Sequence, residues 1–115
     1  MRLVIPDIPR SPNGPKGLLR MHWAAKNKYN LYWYQLVRSM IDMTAVYPTG
    51  RQKVSISQMR RRMLDPDNLV ASVKPILDAL VKWELIEDDD AEHIELQVTQ
   101  AKGKEKITII DIEPL

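Results

Sequence analysis

An α+β fold, a mixed β-sheet with two main helices packed on it in the order β-α-β-α-β-β, is what three features of this 115-residue chain predict. Apolar residues change between helical and alternating periodicity along the chain. Each of the two helical segments follows a strand-like run, and the chain closes on two consecutive strand patterns joined by a short polar turn. The length suits one domain spanning residues 1–115, and no internal repeat divides it.

Taken in order, "RLVIPDIP" begins with a short apolar run that Pro6 and Pro9 interrupt, which predicts an edge strand. "RSPNGPKG" is a loop, dense in Pro, Gly and Asn. No Gly or Pro intervenes from about Leu19 to Met43, where Trp33, Leu36, Val37, Met40 and Ile41 recur at helical spacing, and "YPTGR" ends that helix. In "QKVSISQM" Val54 and Ile56 alternate with Lys53, Ser55 and Ser57, the pattern of a half-buried strand. After Pro66, the residues Leu69, Val73, Ile76, Leu77 and Leu80 fall on one helical stripe that would pack on the sheet. Pro75 has no N–H for the carbonyl of Ala71, so a kink or a restart with Pro75 in the first turn is expected. Ile94, Leu96 and Val98 alternate as a third strand, "QAKGKE" turns the chain, and "KITIIDI" suits a buried fourth strand.

Composition narrows the chemistry. With 44% hydrophobic and 28% charged residues the chain belongs with globular proteins. It has no cysteine, which excludes disulfides and thiolate-bound zinc and favours a reducing compartment. With only His22 and His93 available, a metal site must draw mainly on oxygen ligands, which suits Mg²⁺ or Mn²⁺. No apolar run approaches the roughly 20 residues of a membrane span, and no signal-like segment follows Met1; a soluble, cytoplasmic protein is expected. Residues 1–62 hold 12 Lys and Arg against 2 acids, whereas residues 63–115 hold 5 Lys against 13 acids. That division fits a surface that grips phosphates beside one that holds cations, and it equally fits two solvated faces of opposite sign that help the halves dock.

Two carboxylate knots flank the second helix, "DPDN" before it and "EDDDAEHI" after it. In an extended backbone Asp65 and Asp67 point the same way across Pro66, so both can meet one ion. The second knot supplies a third carboxylate where helix turns into strand, and clustered acids of this kind raise one another's pKa until a cation joins them. The simpler readings are a helix cap for "DPDN", a solvated loop for "DDD", and an i,i+4 pair between Lys74 and Asp78.

Together, "DPDNL", "KPILDAL" and "IEDDDAEHI" resemble the core signature of the RusA family of Holliday junction resolvases, especially its phage-borne members. Upstream, "SPN" at Ser11–Asn13 and "RMHWAAK" at Arg20–Lys26 are similar to the family's N-terminal Pro-Ser-x-Asn and basic-aromatic regions. The resemblance implies metal-binding acids at Asp65, Asp67 and Asp89, with Asp88 or Asp90 as substitutes for the third, and a site lysine at Lys74. It implies a Mg²⁺-dependent (Mn²⁺ tolerated) endodeoxyribonuclease that resolves four-way DNA junctions by paired phosphodiester hydrolysis, as a homodimer because two strands are cut. Asn68 either orients a ligand or caps the helix. Arg20, Lys26, Lys28, Arg60, Arg61 and Arg62 are the expected contacts to the DNA backbone. Trp23, Tyr29, Tyr32, Trp33 and Tyr34 load the first helix with aromatic rings, mostly for the core or a dimer interface, with stacking on an unpaired base as the rarer use. Two rival readings are a non-catalytic junction-binding module with a degenerate acidic site and a protein-interaction domain whose acidic half docks a basic partner.

Overall fold

The β-branched tail forms the axis of the sheet. The computed structural model describes residues 1–13, 17, 21–42 and 50–115. Its elements are β1 (Arg2–Ile5), α1 (Trp23–Ser39), β2 (Gln52–Arg60), α2 (Pro66–Ser72), α3 (Lys74–Lys82), β3 (Ile94–Lys102) and β4 (Ile107–Pro114). The sheet order is β1-β4-β2-β3, with β4 antiparallel to both β1 and β2, and β2 parallel to β3. A parallel pair needs a crossover, which α2 and α3 supply. This is the mixed-sheet α+β architecture predicted above.

Alternation decides which side chains are covered. Leu3 and Ile5 of β1, Val54 and Ile56 of β2, and Ile110 and Ile112 of β4 bury on the helix-covered face. Tyr29, Trp33 and Val37 of α1 and Ile76, Leu77 and Leu80 of α3 close over them, as the apolar stripes predict. Leu36 and Ile41 pack at the margin of this core, while Met40 forms the C-cap of α1 and is exposed. The ring of Trp83 stacks on Tyr34 with centroids 4.3 Å apart and donates its indole N–H to the Tyr34 carbonyl (2.8 Å), which ties the end of α3 to α1.

Pro75 resolves as a restart. Val73 caps α2 and opens α3, with Pro75 in the first turn of the new helix, where a missing N–H costs nothing. α3 ends in a Schellman arrangement: Leu85 N–H donates to the Leu80 carbonyl (3.0 Å), Glu84 N–H donates to Val81 (3.0 Å), and Glu84 takes the left-handed φ of 59°. That reversal sends the chain into the acidic segment. Gly103, in the β3–β4 turn, lies under the Met59 side chain, and a Cβ there would meet the Met59 sulfur at 2.4 Å unless that side chain shifted. Among the described residues no helix is long and apolar enough to cross a membrane.

Candidate active site

Asp65 stands at the N-cap position of α2 but makes no side-chain cap bond, and Asp67 lies in the first turn. Both are exposed. Their approach is fixed from behind: the Gln100 side chain of β3 donates to the Leu64 carbonyl (2.7 Å) and accepts from Leu64 N–H (2.9 Å), extending the sheet edge by one residue. Ahead of them, Asn68 accepts from the Asn13 amide (2.7 Å), so the "SPN" loop is fastened to the first turn of α2. Asn68 therefore braces this turn rather than capping it.

The three consecutive aspartates have three different partners. Asp88 accepts from Asp89 N–H (2.8 Å). Asp89 accepts from the Lys74 ammonium (2.5 Å), which also contacts Asp78 one turn along α3 (3.0 Å). The hydrogen bond with Lys74 holds the Asp89 carboxyl below its ordinary range and raises the lysine in turn. Asp90 makes the turn into β3, accepting from Glu92 N–H, His93 N–H and the His93 ring (2.5 Å). Lys74, Asp78, Asp88 and Asp89 line one side of a depression of about 280 Å³, with Asn30 and Tyr34 of α1 opposite.

Lys74 and Asp89 are thus brought together, with Asp78 as a third member. The acids Asp65, Asp67 and Asp89 are not drawn into one tight cluster. Among the described residues the group whose ligand atoms all lie within 4.8 Å of one another is Asp88, Asp90 and His93. This group is a candidate metal site, and it includes a histidine that was not among the expected metal ligands. Its signal was there in "DAEH", where Asp90 and His93 are three apart on a single turn.

The hydrogen bond that the His93 ring donates to Asp90 raises the His93 pKa above its ordinary 6.5, helped by the negative charges of Asp88 and Glu87. A raised folded-state value means that the contribution is complete below pH about 6.5 and is lost as pH climbs through the higher midpoint. An NMR titration of the His93 ring is expected to give a midpoint above 6.5, and Asp90→Asn to lower it. An unchanged midpoint in Asp90→Asn would exclude this hydrogen bond as the cause.

The expected phosphate contacts divide. Lys26, Lys28, Arg61 and Arg62 are exposed. Arg20 lies outside the described residues. Arg60 is corrected by the structure: it is buried (6% exposed), because the inward alternation of β2 runs through Gln58 to Arg60. Its guanidinium donates to Gln58 (2.7 Å) and to the Pro9 carbonyl, and burial lowers its pKa. Gln58 in turn donates to buried Ser72 of α2 (3.3 Å), so this end of β2 is a polar brace beneath α2.

Of the aromatic residues, Tyr29 and Trp33 are core. Trp23 and Tyr32 are exposed at 70% and 46%. No protein-family model matches the chain, and no relative is found among curated proteins.

Proposed function

We propose that the protein is a Mg²⁺-dependent endonuclease of branched DNA, able to use Mn²⁺, that nicks two strands of a four-way junction as a homodimer. The observation that carries this reading is the Lys74–Asp89 contact at the start of α3, one helix beyond the exposed Asp65 and Asp67. It gathers, from segments 15 residues apart, the lysine and the carboxylate that an oxygen-ligated phosphodiesterase needs. Asp65 and Asp67, exposed at the start of α2, are the further oxygen donors of this reading, which requires them and Asp89 to draw together around the ion, and all-oxygen donors suit hard divalent ions.

Asp65, Asp67 and Asp89 are the residues that would hold the ion, which when bound supplies an activated water and neutralises charge on the scissile phosphate. Lys74 contacts only Oδ2 of Asp89, so Oδ1 would remain to take a cation. Asp78 also holds Lys74, whose charge would stabilise a phosphate brought to the site. Asn13 and Asn68 keep the first turn of α2 still. Lys26, Lys28, Arg61 and Arg62 supply sequence-independent grip on the backbone.

The same ion pair favours a second reading, junction binding without cleavage, because Lys74 already neutralises Asp89. Purified protein incubated with a synthetic four-way junction separates the two. Paired nicks with Mg²⁺ or Mn²⁺ and none in EDTA support the nuclease. Tight, salt-sensitive binding with no nicks under either ion leaves the binding module.

A further inference from the structure

α1 has a groove along each side. Positions 30 and 34 face the acidic depression, while positions 25, 28, 29 and 32 point the opposite way on a 3.6-residue helix. The second groove encloses about 530 Å³, and three cations meet there from three separate parts of the chain: Arg10 after β1, Lys28 on α1, and Lys106 at the start of β4. The Arg10 guanidinium lies 5.3 Å from the centre of the Tyr29 ring, and the exposed ring of Tyr32 forms part of the wall. The one acid in the lining, Asp7, already accepts from the Tyr32 hydroxyl (2.6 Å) and Ile8 N–H (2.7 Å), and that contact pushes the tyrosine up to about 12.

Arg60 lies behind Arg10 without lining the groove: its guanidinium donates to the carbonyl of Pro9, next to Arg10. None of the ion pairs among the described residues includes it. Only 6% of the residue is exposed, and its hydrogen bonds go to neutral oxygens of Gln58 and Pro9, so its charge adds to the positive potential beside Arg10.

We infer that this groove is a second polynucleotide subsite, separate from the carboxylates, which holds backbone phosphates through Arg10, Lys28 and Lys106. Tyr32 offers a ring face to an exposed base, which points to a strand rather than to inorganic phosphate alone. This inference does not depend on metal chemistry.

The test is binding in EDTA, with fluorescent four-way junction and single-stranded oligonucleotide, across a range of salt. Wild type is compared with the double variant Arg10→Gln/Lys106→Gln and with Lys53→Gln on the open sheet face. Each lost phosphate contact lowers the slope of log affinity against log salt by about 0.9 on duplex DNA. The double variant is therefore expected to lose nearly two units of slope and on the order of tenfold or more in affinity at low salt, with Lys53→Gln unchanged. An unaltered slope in the double variant, an equal loss in Lys53→Gln, or affinity for inorganic phosphate with none for either oligonucleotide overturns the inference. Binding that follows this pattern without any nicking defeats the nuclease proposal and leaves the groove standing. Nicking with an unaltered slope does the reverse.

Discussion

Asp67→Asn is expected to abolish metal-dependent nicking of a four-way junction, by on the order of a thousandfold, while junction affinity in EDTA stays within about twofold of wild type. A thousandfold corresponds to roughly 4 kcal/mol of transition-state stabilisation, a reasonable share for one charged ligand of a catalytic cation. The asparagine keeps the shape of the side chain and loses its charge. Because Asp67 is exposed in the first turn of α2, the structural penalty is confined to its attraction to the helix dipole, about 0.3–1 kcal/mol. Single-turnover gels give the rate, and a thermal melt without metal separates the chemical loss from unfolding. A variant that nicks at the wild-type rate would reduce Asp67 to a helix-end charge and end the proposal. Parallel measurements on Asp88→Asn and His93→Gln locate the ion: near-normal rates place it with Asp65, Asp67 and Asp89, whereas a comparable collapse places it in the Asp88, Asp90 and His93 group.

The scaffold was easier to read than the site, and the reason is physical. Burial of Val54, Ile56, Ile110 and Ile112 follows from a two-residue period, and burial of Leu69, Val73, Ile76 and Leu80 from a helical one, so neighbouring residues in the chain report on a shared face. Pro75 was legible as a boundary because its missing N–H acts locally. Arg60 was misread for the opposite reason. Three consecutive arginines look like a solvated strand end, but the alternation of β2 continues one residue further and turns the first of them inward, where Gln58 on the same strand and the distant Pro9 carbonyl make it tolerable. Side chains that bridge distant segments left no periodic trace. The Asn13–Asn68 contact spans 55 positions and the Gln100–Leu64 clamp spans 36. Charge division at residue 62 was similarly incomplete, since Lys106 returns from the acidic half to join Arg10 and Lys28. The motif named Lys74 and Asp89 as members of one site but not as a pair, whereas the contact of Lys74 with Asp78 follows from helical spacing alone.

Trp33→Ala should lose about 3–5 kcal/mol of stability, because the ring is completely buried in the core that α1 closes over. A domain of this size has a total stability of about 5–15 kcal/mol, so the variant would be marginal at 25 °C. Urea denaturation should show a much lower midpoint at an unchanged slope, and Trp33→Phe should recover part of the difference by refilling the cavity with carbon. A loss below about 1 kcal/mol would mean that α1 is not seated as described. The functional consequence follows from where α1 lies. Asn30 and Tyr34 form one wall of the acidic depression, while Lys28 and Tyr32 form part of the cationic groove. A single buried ring between them holds both walls at once, so any folded fraction of Trp33→Ala should lose junction affinity and nicking together, unlike Asp67→Asn, which separates the two.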